Sequence, residues 1–334
     1  MLNLFTLFFK KVVGLICYLF WLGSWLLGIG LILWYPLRWW PGDKLPPVQL
    51  LNYFMAWLLL ALIPALAAAG LTRRKWLATL LAIPTILIIS NYAPLFLPRG
   101  NPVLAHSGQL KVMSYNIYWR NSNNLQNITD IIRREQPDIL LVQEAYDSLS
   151  YSLTQELETL YPGQELYYTF SSRAGQGIIS RFPLTPLDFS YEQGRAQKAI
   201  VHTPNGDIQV WNVHLRQPLR WSRQYQQMVN LVDAVAAVDQ PLIIGGDFNT
   251  NDQSEIYGML NQYLENAHWE AGWGFGFTFP SQDRPVKGVS LPAPLVRIDH
   301  IFHSNHFYAS EAKTLPDGGG SDHLPVVAEL SFIK

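Results

Sequence analysis

Three long apolar stretches dominate the first hundred residues and constrain the fold more than any other feature. They run over Val12–Trp34, Val48–Gly70 and Trp76–Leu97, and none contains a charged residue. Each has the roughly 20 residues that a helix needs to cross the hydrocarbon core of a bilayer. We therefore predict three transmembrane helices, which form a membrane anchor over residues 1–100. Buried helices of a soluble protein would be an alternative, but three such runs in succession exceed a plausible soluble core.

Positive charges near these stretches predict an orientation. Lys10 and Lys11 precede the first stretch, and 73–75 (Arg-Arg-Lys) separates the second from the third. The intervening loop has only Arg38 and Lys44. Because lysine and arginine accumulate on the cytoplasmic side, three crossings would place the remainder of the chain outside the cytoplasm. Its short loops, and a first stretch too long for a cleaved signal peptide, suggest a bacterial inner membrane protein.

Residues 101–334 have a different character and predict one catalytic domain. Their 16 lysines and arginines are outnumbered by 24 acidic residues, whereas residues 1–100 carry eight basic residues against Asp43 alone. The acidic balance does not favour non-specific binding to nucleic acid. Cys17 is the only cysteine, so the domain has no thiol chemistry.

Strand-like and helix-like patterns alternate along this domain after a predicted linker, Pro98–Gly108. Helical spacing marks the region around Leu125–Ile132 and Ser222–Val238, and a Pro-Asn-Gly turn predicts a β-hairpin. Apolar strands are predicted at Leu110–Asn116, Asp138–Glu144, Gly177–Arg181, 241–246 and around the segments RIDHIFHS and LPVVAELSF. The pattern predicts an α/β domain with a mixed sheet.

Polar side chains recur where these apolar strands end. They are Asn116, Glu144, His214, Asp247, Asn249, Asp299, Asp322 and His323. Each one alone has an ordinary structural explanation, as a turn former, cap or solvated strand end. Together, at converging strand ends, they predict one site. Carboxylates hold Mg²⁺, and a histidine paired with a carboxylate activates water, so the residue types suit phosphoester hydrolysis by direct water attack.

The order of the motifs resembles that of the endonuclease/exonuclease/phosphatase superfamily. The motifs are MSYNI, DILLVQE, GIISRFPL, NVHL, GGDFNT, RIDHIF and SDHLPV, and they cover residues 109–334. The resemblance implies a four-layer α/β sandwich with two mixed β-sheets, here preceded by three transmembrane helices. It also implies a Mg²⁺-dependent hydrolase of phosphodiesters or phosphomonoesters, with Mn²⁺ as a substitute metal.

The resemblance assigns the metal to Glu144, assisted by Asn116, with Asp322 on the same side. Asn116 also contacts substrate in this assignment. Arg173 and Arg195 are candidates for further substrate contacts, although neither falls in a matching motif.

The resemblance also assigns the catalytic groups. Asp247 and Asn249 orient the attacking water and the phosphate, and Asp247 approaches a second metal if there is one. His323 is a base or a stabiliser of phosphate charge, oriented by Asp299. His214 contacts substrate and matches the histidine of pancreatic-type deoxyribonucleases and neutral sphingomyelinases, which argues against an abasic-site endonuclease.

The substrate is left open by the sequence. The lipid bilayer and a phosphoester, either a lipid headgroup or nucleic acid, are the expected partners, and no protein partner is evident. The aromatic segment His268–Ser281 is either a packed loop or a hydrophobic lip for lipid or bases. We retain three hypotheses, namely a lipid or small phosphodiester hydrolase, a surface-tethered nuclease, and an inactive membrane scaffold.

Overall fold

The computed structural model describes residues 2–333 except 98–105, 162, 172, 191, 194, 219–220, 283 and 286–287. Most of the predicted linker Pro98–Gly108 therefore lies outside the described residues. The chain divides into two compact units, Met1–Pro94 and Leu95–Lys334, and we describe each by itself.

The first unit is helical. Its helices are α1 (Leu2–Leu37), α2 (Pro46–Tyr53), α3 (Leu59–Leu71) and α4 (Lys75–Tyr92). Two segments of the described chain, Thr6–Leu37 and Lys75–Phe96, are long and apolar enough to cross a membrane. They contain the first predicted stretch and nearly all of the third.

The middle apolar stretch is a bent pair of helices rather than one straight helix. The segments Pro46–Tyr53 and Met55–Leu71 meet at 80°, so by length and composition the described chain has two candidate spans, or three if the bent pair counts as one. A polar pair accompanies the bend, because the buried Asn52 Nδ2 donates to Asp43 Oδ1 at 2.8 Å. The predicted number of three crossings stays a prediction.

The second unit contains twelve strands and five α-helices in its described part. The strands are β1 (His106–Asn116), β2 (Ile139–Gln143), β3 (Tyr167–Ser171), β4 (Gln176–Ser180), β5 (Leu184–Pro186), β6 (Gln197–Thr203), β7 (Gly206–His214), β8 (Leu242–Asp247), β9 (Glu265–Asn266), β10 (Asp299–His303), β11 (Phe307–Thr314) and β12 (Val326–Ile333). The helices are α5 (Leu125–Glu135), α6 (Asp147–Leu160), α7 (Trp221–Ala236), α8 (Glu255–Leu260) and α9 (Ala267–Ala271).

The strands form two six-stranded mixed sheets. The first has the order β11-β12-β1-β2-β4-β3 and the second β5-β6-β7-β8-β10-β9. Among the described strands, two neighbouring pairs are parallel, β1 with β2 and β7 with β8. Each parallel pair lies near the middle of its sheet, so the carboxyl ends of four central strands are available to build a site.

Three apolar clusters lie between four layers of secondary structure, which are two sheets with helices on both outer sides. The first lies between the sheets and includes Val112 and Leu141 from one sheet and Val210 and Ile243 from the other. The second lies between the first sheet and helices α5 and α6, and the third between the second sheet and helices α7 and α8. The predicted four-layer α/β sandwich with two mixed sheets is confirmed.

A buried polar network joins the two sheets beneath their shared edge. Asn212 Nδ2 donates across the sheets to the carbonyl oxygens of Val142 and Gly177, at 2.8 and 2.9 Å. Gln143 Nε2 donates to Asn212 Oδ1 at 2.7 Å, and Gln176 Nε2 to the Asn212 carbonyl at 2.8 Å. Because removing one partner would leave buried polar groups unsatisfied, this network fixes how the sheets face each other next to the site.

Candidate active site

The polar strand ends predicted from sequence meet at one edge of the sandwich. Asn116 ends β1 and Glu144 follows β2, while His214 and Asp247 end β7 and β8 opposite each other in register. Asp299 begins β10, which is antiparallel to β8, and it pairs with Asp247. Register brings His214, Asp247 and Asp299 together in the second sheet, and the hydrogen bond from Asn116 to Asp247 brings the end of β1 to the same edge.

Asn116 lies between two carboxylates from different sheets. Its Nδ2 donates to Asp247 Oδ2 at 3.1 Å and lies 3.5 Å from Glu144 Oε1. The backbone N–H of Trp119 donates to the other Glu144 oxygen at 3.1 Å. Burial raises the pKa of Glu144, and the nearby Asp322 carboxylate raises it further. Asn116 and Glu144 therefore lie together, as the metal ligands assigned by the resemblance must.

His323 and Asp299 form a buried pair. His323 Nδ1 and Asp299 Oδ2 are 2.9 Å apart, and His323 Nε2 lies 3.8 Å from Asp247 Oδ2. Burial alone lowers the pKa of His323, but the carboxylates of Asp299 and Asp247 outweigh it and raise the pKa to about 10. His323 is therefore a cation at neutral pH in this arrangement.

The loop that carries His323 is tied to β1. Ser321 Oγ donates to the Asn116 carbonyl at 2.6 Å and accepts from the His323 backbone N–H at 3.1 Å. Ser281 Oγ in turn donates to the Ser321 carbonyl. These bonds hold the histidine at a fixed place relative to the carboxylates.

Asp247 is a buried carboxylate of the site, held by Asn249. Its Oδ1 accepts from the Asn249 backbone N–H at 2.9 Å, and Asn249 Nδ2 donates to its Oδ2 at 3.2 Å. Burial raises the pKa of Asp247, Asp299 and Glu144 raise it further, and His323 opposes this rise. A carboxylate with a raised pKa is suited to accept a proton from water near neutral pH.

His214 differs from His323 although both are buried. Its Nε2 lies 3.5 Å from Asp247 Oδ2, and its Nδ1 has no hydrogen-bond partner among the described residues. Burial lowers the pKa of His214 to about 3, with the Arg195 charge acting in the same direction. His214 is therefore neutral and can offer one N–H to a phosphoryl oxygen.

The donor set fits a divalent metal. Glu144, Asp247 and Asp322 are crowded, largely buried carboxylates whose pKa values are all raised, and Oδ1 of Asp299 is buried without a partner in the described chain. A bound cation would relieve this repulsion, and oxygen donors are those that Mg²⁺ prefers. Glu144, Asn116 and Asp322 would hold such an ion.

A second group also has metal-compatible spacing. One ligand atom each from Asp247, Asp299 and His323 lies within 4.8 Å of the others. The short His323–Asp299 contact already explains part of this closeness as a hydrogen bond. We therefore regard this group first as an acid–base cluster.

Backbone strain collects around the site. Glu144 and Asn249 have φ values of +62° and +48°, and the nearby Tyr118 and Arg195 have +58° and +54°. Such conformations are costly for side chains other than glycine and persist where the surrounding structure enforces them, often at functional sites. Gly246 is required for a related reason, because a Cβ there would lie 1.9 Å from the Val213 carbonyl oxygen.

A cavity of about 560 Å³ opens beside these groups, and its lining includes Glu144, His214 and Asn249. Arg195 also lines it, held by a 2.6 Å bond to the Ala174 carbonyl, whereas the other candidate arginine, Arg173, lies on an exposed turn.

Several further lining residues are not predicted from the sequence, among them Trp119, Tyr146 and Arg216. Trp119 is half exposed, Tyr146 Oη accepts from Arg195 at 3.2 Å, and Arg216 is exposed directly beyond β7. Trp119 and Tyr146 each follow a predicted strand end by two or three residues, and this proximity was the available signal.

A family profile matches the sequence of the unit that carries this site. The profile of the Endonuclease/Exonuclease/phosphatase family covers residues 113–323, which is more than half of the chain. The chain belongs to the endonuclease/exonuclease/phosphatase family. Members of this family are phosphoester hydrolases that use divalent metal ions, and a buried acidic cluster of the kind they need is present here.

The chain is also similar to individual proteins, both curated sequences and solved structures. A UPF0294 protein of Vibrio campbellii is 25% identical over 246 residues, which cover 69% of this chain and 80% of that protein. A family protein from Bacteroides thetaiotaomicron has a TM-score of 0.55 at 17% identity, over 68% of this chain and 99% of its own. A mannosyl-6-phosphatase from the same organism has a TM-score of 0.53 at 18% identity, over 67% and 100%. At these identities the solved structures show the shared fold alone.

Proposed function

We propose that the chain is a membrane-anchored phosphoesterase that uses Mg²⁺, or Mn²⁺ in its place, to hydrolyse a phosphodiester or phosphomonoester by direct attack of water. The observation that carries this proposal is the shared position of Asn116 between Glu144 and Asp247, with the His323–Asp299 pair against Asp247. Metal ligand, water activator and cation thus lie within one cluster.

Each of these residues has a distinct role in the proposed reaction. Asp247, whose pKa is raised, accepts the proton of the attacking water while Asn249 holds its carboxylate. His323, kept cationic by Asp299, stabilises charge on a phosphoryl oxygen, and the neutral His214 donates a hydrogen bond to another. The metal, when bound, adds positive charge against the phosphoryl oxygens. Of the two roles considered for His323, its protonation favours charge stabiliser over base.

The membrane location belongs to the same proposal. The two apolar spans support an anchor in a bacterial inner membrane. If the bent middle pair completes a third crossing, the positive-inside bias places the catalytic unit outside the cytoplasm. The substrate class that best fits this placement is a lipid headgroup or another small phosphoester rather than bulk nucleic acid.

A surface-tethered nuclease is the second candidate. Trp119 is 50% exposed at the cavity, and the Arg120 guanidinium carbon lies over its ring, 4.2 Å from the ring centroid. An exposed aromatic ring beside a cation can stack a base and hold its phosphate.

The test is Mg²⁺-dependent turnover by the full chain in lipid nanodiscs. The panel contains a bis-nitrophenyl phosphate diester, a phosphomonoester, phospholipids, plasmid DNA and single-stranded RNA. Hydrolysis of any member by the native chain, lost in His323→Ala and kept in His306→Gln, a half-buried histidine outside the cluster, supports the proposal. Turnover equal to that of His323→Ala across the panel would refute it, and preference for DNA or RNA would select the nuclease.

A further inference from the structure

The aromatic segment His268–Ser281 contains rings that the proposed chemistry does not use. Trp273 is 65% exposed, and Phe275 and Phe277 stack in parallel with centroids 5.0 Å apart. Phe96 packs edge-on against both Trp273, at 6.2 Å, and Phe275, at 5.1 Å. All of these contacts lie within the second unit.

Phe96 connects these aromatic contacts to a candidate membrane span. Phe96 is the last residue of the candidate span Lys75–Phe96, and Leu97 after it is 59% exposed. The Gly274 N–H donates to the Leu95 carbonyl at 2.9 Å, so the segment is bonded to the end of the span. Trp273 therefore lies where the chain would leave the hydrocarbon core.

The turn that presents Trp273 is held from within the unit. Gly274 and Gly276 have positive φ values of +74° and +59°. His268 Nε2 lies 3.0 Å from the Gly274 carbonyl, and Thr314 Oγ1 donates to the Gly276 carbonyl at 3.0 Å. A fixed, exposed tryptophan is not explained by core packing, whereas tryptophan is enriched where protein meets the headgroup layer.

The other end of the same segment reaches the catalytic pair. The Phe279 ring lies 4.9 Å from the His323 ring, and Thr278 Oγ1 accepts from the Asp299 backbone N–H at 3.3 Å. Phe279 lies six positions after Trp273, and a chain advances at most about 3.5 Å per residue, which bounds their Cα separation at about 21 Å. The depth of Trp273 would therefore limit how far the site lies from the headgroups.

We propose that Phe96, Leu97, Trp273 and Phe275 form an interfacial patch that rests in the headgroup layer of the bilayer. This patch holds the catalytic cavity within reach of phosphates at the membrane surface. The inference rests on the proposed membrane anchoring and adds a second, non-spanning contact with lipid.

The experiment measures depth with spin labels on the full chain in nanodiscs of phosphatidylethanolamine and phosphatidylglycerol. Cys17, the only cysteine, lies in the span Thr6–Leu37 and is labelled first in the native chain. Trp273→Cys and the control Tyr151→Cys, an aromatic residue 70% exposed on α6, are then labelled separately in a Cys17→Ser background. Each label is compared for relaxation by oxygen, which enters lipid, and by a nickel chelate, which stays in water.

We expect the oxygen-to-nickel accessibility ratio at position 273 to exceed that at 151 by several-fold and to fall below that at 17. A ratio at 273 equal to that at 151, with 17 deep in lipid, would overturn the patch and leave the anchor intact. An aqueous ratio at 17 would overturn the anchor and the patch together. Unchanged hydrolysis of a soluble substrate by Trp273→Cys checks that this variant folds.

Discussion

The pairing of His323 with Asp299 provides the sharpest test of the site. Their side chains are 2.9 Å apart, both are buried, and the Asp299 charge is the leading cause that raises the pKa of His323. Asp299→Asn preserves shape but removes this charge. We expect the pKa of His323 to fall, and kcat to fall about 10³-fold, which corresponds to about 4 kcal/mol of transition-state stabilisation.

The same reasoning predicts how two substitutions combine. If Asp299 acts only through His323, then His323→Ala removes the benefit of both residues, and adding Asp299→Asn changes kcat little further. Independent contributions would multiply instead to about 10⁶-fold, or about 8 kcal/mol. The double variant therefore separates the two cases by about three orders of magnitude.

The assay is kcat for the best substrate of the panel at saturating Mg²⁺, with Asp233→Asn as an exposed control on α7. Circular dichroism and thermal unfolding check that each variant folds. A double variant about 10³ times slower than either single variant would refute the coupling, and Asp299→Asn within threefold of the native rate would refute the role of Asp299.

Four further results are expected. Burial lowers the pKa of His300 to about 3, so only the unfolded chain gains its proton as pH falls below 6.5. The free energy of unfolding should therefore drop between pH 7.5 and pH 5 by about 2 kcal/mol more in the native chain than in His300→Gln, and an equal drop in both would contradict this source. Gly246→Ala should destabilise the unit by about 3 kcal/mol or more in urea unfolding, because its Cβ would strike the Val213 carbonyl, and a loss under 1 kcal/mol would argue against that clash. Glu144→Gln should raise the Mg²⁺ concentration for half-maximal activity more than about tenfold while exposed Glu158→Gln does not, and equal titrations would remove Glu144 from the metal site. A C-terminal alkaline phosphatase fusion should be active and a fluorescent protein fusion dark, and the reverse would mean an even number of crossings.

Much of the catalytic unit was predictable because its central elements carry strong periodic signals. The hairpin of β6 and β7 turns at the predicted Pro-Asn-Gly, and α7 (Trp221–Ala236) lies within two residues of the predicted helix. Edge strand β3 was not assigned, since none of its side chains is buried and its apolar pattern is weak. Helix α6 was also missed, although Leu149, Leu153 and Leu157 recur every four residues and are buried.

The bend in the middle apolar stretch was not predictable from the sequence. Its composition predicts one straight helix, whereas α2 and the following helical segment meet at 80°. Hydropathy measures whether a segment prefers lipid, and it contains no information on a bend. The bend accompanies the buried Asn52–Asp43 hydrogen bond, which joins residues nine positions apart.

The sequence by itself determined which chemical groups lie at the ends of the central strands, because alternation of apolar and polar residues depends only on local geometry. Tertiary structure decided what each group can do. His214 and His323 are both buried histidines. Burial, together with the Arg195 charge, lowers the pKa of His214 to about 3, whereas the carboxylates of Asp299 and Asp247 outweigh burial and raise the pKa of His323 to about 10. Charge interactions depend on distance and burial in three dimensions, and only the packing of the two sheets sets those distances.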